Sequence, residues 1–403
     1  MINLTTVSEA LKVLYINPIR EFVNMQADPF ASRIMQTSDN IVGYQKIVRA
    51  VQIGANGGAG AGTETGLLPV AGENLYKQFE SDTKNLYGTI AISDKIMKSA
   101  TGQNAGSFVN ALQRDVDTLV ATLKFSLARQ VYGDGTGTLM TCKAQSAVGK
   151  VLEAQNKQQT RNLLPGLTVE VYNTNTKVGS GRVVDVDHAT GKITLDTATT
   201  TAAAAGAKVV MQGSKDLELT GLGKIFDAAT YTTLYGLTRA DYSWMRPYTK
   251  SNFGAISEAG LQEVIFQQED TYSGKIDHIA CGQTAYLAYL KLMEARRTIN
   301  DTLTLSGGHK ALLFNGIPLT RTKFLADDCI DMYDTSSFSI DQIADWEWLD
   351  DNVHGILQRN ARYATYEGSI AKYCDLMCVL PGMQARLTGV TAPTATTSGG
   401  GGA

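Results

Sequence analysis

Between Ser107 and Tyr132 apolar residues recur at helical spacing. Phe108, Leu112, Val116, Leu119, Leu123 and Leu127 stand three or four apart and line one face. Ser107 suits an N-cap, and Gly133 or Gly135 can end the helix in the left-handed region. At 1.5 Å per residue the helix would run roughly 38 Å. A different period precedes it. The stretch "NLYKQFESDTKNLYGTIAIS" (74–93) alternates charged and apolar residues, the pattern of a two-stranded ribbon. A lone ribbon buries too little to be stable, so this one should lie on something else, such as a neighbouring subunit. The glycine-rich run "GANGGAGAGTETG" (54–66) ahead of it reads as a hinge.

Residues 138–217 switch to short strands, with "NTNTKVGSG" and "DHATGK" as turns and the tract "TATTTAAAAGA" breaking the pattern. Beyond them the chain alternates. "ISEAGLQEVIFQQEDTYSG" is helical, "KIDHIACG" is a buried strand, and "QTAYLAYLKLMEARRTI" is a second helix. "ALLFNGIPLTRTKFL" is a hairpin turning at Asn-Gly. At the N-terminus, "SEALKVLY" has helical spacing with Ser8 as cap and Pro18 as terminator. The end, "TTSGGGGA", is expected to be disordered.

At 403 residues the chain exceeds what one core usually organises, and 43 % hydrophobic with 19 % charged residues is folded composition. A net charge of −3 argues against tight, phosphate-neutralising nucleic-acid binding. The five cysteines form no CxxC pair, and Cys374 and Cys378 sit in an apolar run, as buried thiols of a reducing compartment would. No signal peptide and no membrane-spanning segment is expected.

The sharpest local motif, "VYGDGTG" (131–137), lacks the Lys-Ser/Thr of a phosphate loop and follows a helix rather than opening one. Asp134 stands alone, too few oxygens for a calcium loop. The motif reads as a helix-ending turn. His188, His278, His309 and His354 have no ligand spacing. Cys281, before Gly282 at a strand end, superficially resembles a nucleophile, but a small buried thiol fits it better. From Asp327 to Asp351 nine acidic residues occur without a basic one. A solvated, self-repelling face is the simpler reading; a cation site or charge-tuned interface is the sharper one. No catalytic, cofactor-binding or metal-ligating residue is assigned. What remains is a subunit built to touch copies of itself.

In its order of segments the chain resembles the tailed-bacteriophage major capsid proteins of the Hong Kong ninety-seven-like (Johnson) fold. "LLPVAGENLYKQFESDTKNLYGTIAISDKIMKSA" is similar to the family's extended E-loop, and "FVNALQRDVDTLVATLKFSLARQVYGDGTG" to its spine helix and closing turn. "LTGLGKIFD" resembles the segment after that turn. "IDHIACGQTAYLAYLKLMEARR", "LLFNGIPLTRTKFLADDCIDMYD" and "CDLMCVLPGMQARLTGV" resemble the A-domain strand and helix, the following hairpin, and the closing strand. The resemblance implies an α+β fold: an N-terminal arm (1–49), E-loop ribbon (50–100), P-domain spine helix (101–137), P-domain continuation (218–272), A-domain (273–375), closing P-domain strand (376–392) and tail (393–403). Residues 138–217 depart from it and would be a β-rich insertion domain.

The resemblance further implies E-loop contacts with neighbours through Leu68, Pro69, Leu75, Tyr76, Lys77, Phe79, Leu86 and Tyr87. The spine helix would end at Gly133, Asp134, Gly135 and Gly137. An acidic A-domain face with Asp327, Asp328 and Asp331 would lie near the capsomer axis. Subunits would form pentamers and hexamers of an icosahedral shell around double-stranded DNA, in a virion assembled in the bacterial cytoplasm. A separate scaffolding protein, a portal and a decoration protein are the implied partners, with no cofactor and no membrane. Lys77 and Lys84 lie where some members crosslink, but no motif fixes the partner asparagine, so closure should be non-covalent. An encapsulin-type nanocompartment is the alternative, and a hydrolase using Cys281 or the acidic cluster the third reading.

Overall fold

The computed structural model describes residues 28–43, 45–54, 56–95, 105–295, 303–304, 310–350, 356–360 and 363–393. The arm helix near Ser8, the tail, His309, His354 and Asp351 lie outside them. The described residues form a mixed α and β structure in which strands predominate.

Its centre is a long helix on a long sheet. The helix runs from Ala105 to Tyr132, 28 residues and about 42 Å. It therefore begins before Ser107, which sits inside it rather than at its cap. Val116, Leu123 and Leu127 are buried along the predicted stripe. They face the strand Lys84–Ser93, where Gly88 permits close approach: a Cβ there would stand 3.0 Å from Leu119 and Leu123. That strand pairs antiparallel with Thr365–Cys378, which pairs in turn with Phe338–Trp348, and Met35–Thr37 adds a parallel edge.

A second layer is a seven-stranded mixed sheet. Its order is Tyr248–Lys250, Ala385–Leu387, Ile330–Tyr333, His278–Cys281, Ile317–Arg321, Lys310–Phe314 and Leu303–Thr304. The helices Glu258–Tyr272 and Gln283–Ala295 share its core, which includes Leu261, Val264, Ile279 and Ala288. Ser257 caps the first helix by accepting from the Gly260 N–H. The Asn-Gly hairpin forms as expected, with φ of 49° at Asn315 and 79° at Gly316, both in the left-handed region that a tight hairpin turn demands.

Residues 138–211 form a third unit. Six antiparallel strands run in the order Thr138–Thr141, Lys208–Met211, Thr168–Asn173, Thr176–Asp187, Lys192–Leu195 and Val151–Glu153. A bridge between Cys142 and Ala154 joins the two outer strands and closes the sheet into a small barrel. Its core of Val169, Val171, Ile193, Val209 and neighbours is separate from the other two clusters. The turn after Asn173 is shorter than predicted: Thr174 takes φ 55°, and Lys177 to Gly181 lie inside a strand.

Two expectations need correction. The alternating stretch 74–93 is not a hairpin on itself. Tyr76–Asp82 pairs with Lys46–Gln52, earlier in the chain, while Lys84–Ser93 joins the sheet under the long helix. The glycine run thus lies inside the connection between the ribbon strands. The domain division at residue 375 cuts the continuous strand Thr365–Cys378. Strands 338–348 and 365–378 pair with each other, outside the seven-stranded sheet, and share a core with the long helix through Phe338, Ile340, Cys374 and Leu376, a core that Ala280 and Tyr333 of that sheet also enter.

Candidate assembly interface

The ribbon Lys46–Gln52/Tyr76–Asp82 carries a loop, 53–75, at its far end. The limbs stay close at first: the Ile53 N–H donates to the Leu75 carbonyl at 2.9 Å. Further out, a Cβ on Gly72 would meet the Gly57 nitrogen at 2.4 Å, so only glycine lets the limbs pass there. The described glycines of 54–66 take no positive φ; close approach accounts for Gly54, Gly58, Gly60 and Gly66, whereas Gly57 and Gly62 have room for a side chain. The tip is apolar and bare. Leu67 is 99 % exposed, Leu68 89 % and Val70 87 %, with Pro69 exposed between them. Exposed apolar side chains in sequence, on the loop of a ribbon, make this tip the candidate interaction surface.

The predicted contact residues divide. Leu68, Pro69, Leu75 and Tyr76 are exposed. Lys77 lies 5.4 Å from the Tyr242 ring centroid of its own chain, and exposed Tyr87 packs edge-on to Tyr373 at 6.2 Å. Phe79 and Leu86 must be withdrawn. Phe79 is fully buried, 5.6 Å from the stacked ring of Trp244, and Leu86 is 7 % exposed in the same core. Alternation points one face of each strand inward, and inward here is this chain's own body. Leu67 and Val70 escaped the sequence reading. The signal was present in "GLLPVAG", an apolar run between glycines that no period assigns to an element.

The turn after the long helix places Gly135 at φ 86° and Gly137 at φ 75°. Asp134 braces it: one carboxylate oxygen accepts from the Thr136 N–H at 3.0 Å and hydroxyl at 2.7 Å, the other from the Tyr231 hydroxyl at 2.9 Å. Burial pushes its pKa up, but these hydrogen bonds outweigh that and hold it below the usual value. The turn is also where the chain leaves for the barrel and comes back. The Asp216 N–H donates to the Thr136 carbonyl at 3.0 Å, and the Gly223 N–H to the Gly133 carbonyl at 2.9 Å. Beside it Arg129 and Glu218, about 5 % exposed, form a two-pronged ion pair.

The acidic run is not a self-repelling face. Asp327 pairs with Arg161 of the barrel, which also sends Gln158 Nε2 to it at 2.6 Å. Asp331 is fully buried and takes both prongs of Arg386, at 2.7 and 2.6 Å. Asp334 caps the short helical turn at Ser336, and Asp345 pairs with the fully buried Lys372 at 2.9 Å. Asp328, Glu347 and neighbours remain at the surface. Asp327 and Asp331 therefore have partners within the chain, reached by residues 55 to 169 positions away, which no local count of charges reveals.

Nucleophile and metal chemistry find no support among the described residues. Burial raises the thiols of Cys142, Cys374 and Cys378 to about 12, and that of Cys281 further still, which leaves no thiolate at neutral pH. His278 is buried and held neutral, with its pKa lowered to about 3 by burial and then by Arg33. Among the described residues no group of three or more His, Cys, Asp or Glu side chains could hold a metal ion.

No protein-family model matches the chain, and no curated protein matches it in sequence. Among solved structures, a chain of the cyanophage A-1(L) capsid asymmetric unit superposes with a TM-score of 0.51, over 93 % of each chain, at 8 % identity. At that identity the likeness concerns the fold alone, and the fold of this chain is that of the cyanophage capsid chain. Weaker likenesses reach the capsid of an empty GTA particle (TM-score 0.44, 10 % identity, 91 % of this chain and 90 % of that one). They also reach the SrpI encapsulin of Synechococcus elongatus PCC 7942 (TM-score 0.41, 8 % identity, 89 % and 85 %).

Proposed function

We propose that the chain is the major capsid protein of a tailed bacteriophage, a structural subunit rather than an enzyme. The observation that carries the reading is the fold shared over 93 % of the chain with a phage capsid chain. The bare apolar tip at Leu67, Leu68 and Val70 supports it. In this reading the ribbon and its loop are the E-loop, and the helix Ala105–Tyr132 with its long sheet is the P-domain. The seven-stranded layer is the A-domain, and the barrel is an insertion domain. Subunits close into pentamers and hexamers around double-stranded DNA, with scaffolding protein, portal and decoration protein as partners.

The physics suits the task. Covering Leu67, Leu68 and Val70 on a neighbour contributes roughly 5–9 kcal/mol per loop before ordering costs. One such contact is modest, but closed symmetry makes every subunit give and receive one, so the contacts act together. The test is assembly of the purified chain, with and without its scaffold, followed by sedimentation. Wild type should form particles, whereas Leu67→Asp/Leu68→Asp should stop at capsomers or monomers with an unchanged melting profile. Removing residues 72–86 is not a clean alternative, because it deletes Phe79 and Leu86 from the core. Normal particles from the double Asp variant would overturn the role given to the tip.

A further inference from the structure

A cavity of about 880 Å³ opens beside the short helix Leu222–Phe226, between it and the edge strand Tyr248–Lys250. Four cations line it, Arg239, Arg246, Lys250 and Arg386, against the one carboxylate of Asp227. Arg386 is neutralised by Asp331. Three cations less one carboxylate leaves an excess of about two positive charges. Glu263 approaches Lys250 only to 4.0 Å and is 73 % exposed, an arrangement worth little in water.

Two of these cations are held as though for a ligand. Arg239 is 2 % exposed, and its two terminal nitrogens donate to the carbonyls of Ile225 and Lys224 at 2.8 and 2.7 Å. Its Nε is buried and has no hydrogen-bond partner. Arg246 donates from Nε and Nη2 to the carbonyls of Arg239 and Ala240 at 2.9 and 2.6 Å, which leaves Nη1 free of any hydrogen bond to the described residues. Neutral carbonyls fix both guanidinium groups in place without cancelling their charge. Arg246 is exposed, whereas Arg239 is buried and the cost of its burial outweighs the attraction of Asp227, a cost that falls when an anion arrives. The planar, immobilised guanidinium of Arg246, with Nη1 spare, matches phosphate oxygens in particular. The hydroxyls of Thr249, Ser251 and Thr388 add short polar groups to the same wall.

We propose that this cavity is a binding site for phosphate groups carrying at least two negative charges, supplied by a free oligophosphate or by a nucleic-acid backbone. Arg246 and Lys250 make the reachable contacts, and Arg239 provides the buried positive field. The assignment stands apart from shell formation, since it concerns a cavity within one chain.

The test uses the full-length chain at low salt, titrated calorimetrically with sodium tripolyphosphate, and a melting curve with and without it. Wild type should bind with one site per chain and melt several degrees higher in its presence. Arg246→Gln and Lys250→Gln, each first shown to melt as wild type does without ligand, should each bind at least tenfold more weakly. A second arm adds a 20-base-pair DNA duplex to the tripolyphosphate complex. Displacement supports a backbone phosphate as the natural ligand, and retention supports a free oligophosphate. No heat and no melting shift with either probe, or equal binding by both variants, overturns the proposal whether or not the protein forms shells.

Discussion

The ion pair of Arg129 and Glu218 ties the end of the long helix to the point where the chain returns from the barrel, and its removal is open to a quantitative test. Both side chains are about 5 % exposed, so neither charge can turn to water if its partner is lost. Glu218→Leu removes the carboxylate and leaves the Arg129 charge uncompensated, which should cost about 3–5 kcal/mol. Arg129→Met should cost a similar amount by stranding the carboxylate. Replacing both, with Arg129→Met and Glu218→Leu together, removes both desolvation penalties. The surroundings would accept it, since Met211 Sδ already lies 3.9 Å from Arg129 Nη2. The double variant should fall within about 1–2 kcal/mol of wild type, and the coupling energy should be about 3 kcal/mol or more. Urea unfolding of dissociated subunits, followed by tryptophan fluorescence and by circular dichroism, measures all four corners of the cycle. Single variants within about 1 kcal/mol of wild type, or a double variant whose cost equals the sum of the singles, would refute the reasoning.

Three further outcomes follow from the same geometry. Asp375 faces Asp341 across paired strands, and burial raises both carboxyls above their ordinary value of 3.8. The folded chain thus binds protons more tightly than the unfolded one, so this pair's contribution falls as pH rises from about 3.8 through the folded values. Asp375→Asn, whose oxygen can still accept from Thr220 and Leu376, should flatten that part of the pH dependence of the urea midpoint; an unchanged slope would count against it. Asp327→Asn should loosen the barrel's tie to the body by about 1–2 kcal/mol, read as faster hydrogen exchange over 157–162 with the barrel core still protected. Gly221→Ala should cost about 3 kcal/mol or more, because a Cβ there meets the Gln130 and Gly133 carbonyls at 2.4 Å; a melting temperature equal to wild type's would sink that packing.

Local order was legible in the sequence and remote order was not. The long helix, the Asn-Gly hairpin, the capped helix after Ser257 and the barrel's strands all follow from periods and caps within a few residues. Alternation in 74–93 announced strands but could not name their partners. Tyr76–Asp82 found 46–52, and Lys84–Ser93 found a strand about 280 residues away, Thr89 standing opposite Ser369. The same distance defeated the charge reading. Asp327, Asp331 and Asp345 look unpaired in sequence, and become paired only when folding brings Arg161, Arg386 and Lys372 to them. The reading of "VYGDGTG" as a turn required only that glycine precede and follow a braced aspartate, and that information is local.

The central claim is that this chain builds closed shells through its ribbon loop. A cryo-EM reconstruction of the particles formed by the purified chain with its scaffold tests it most directly. The expected result is an icosahedral shell of pentamers and hexamers in which Leu67, Leu68 and Val70 are covered by a neighbouring subunit. A preparation that yields only monomers under every assembly condition, or a shell in which that tip stays bare, would contradict it.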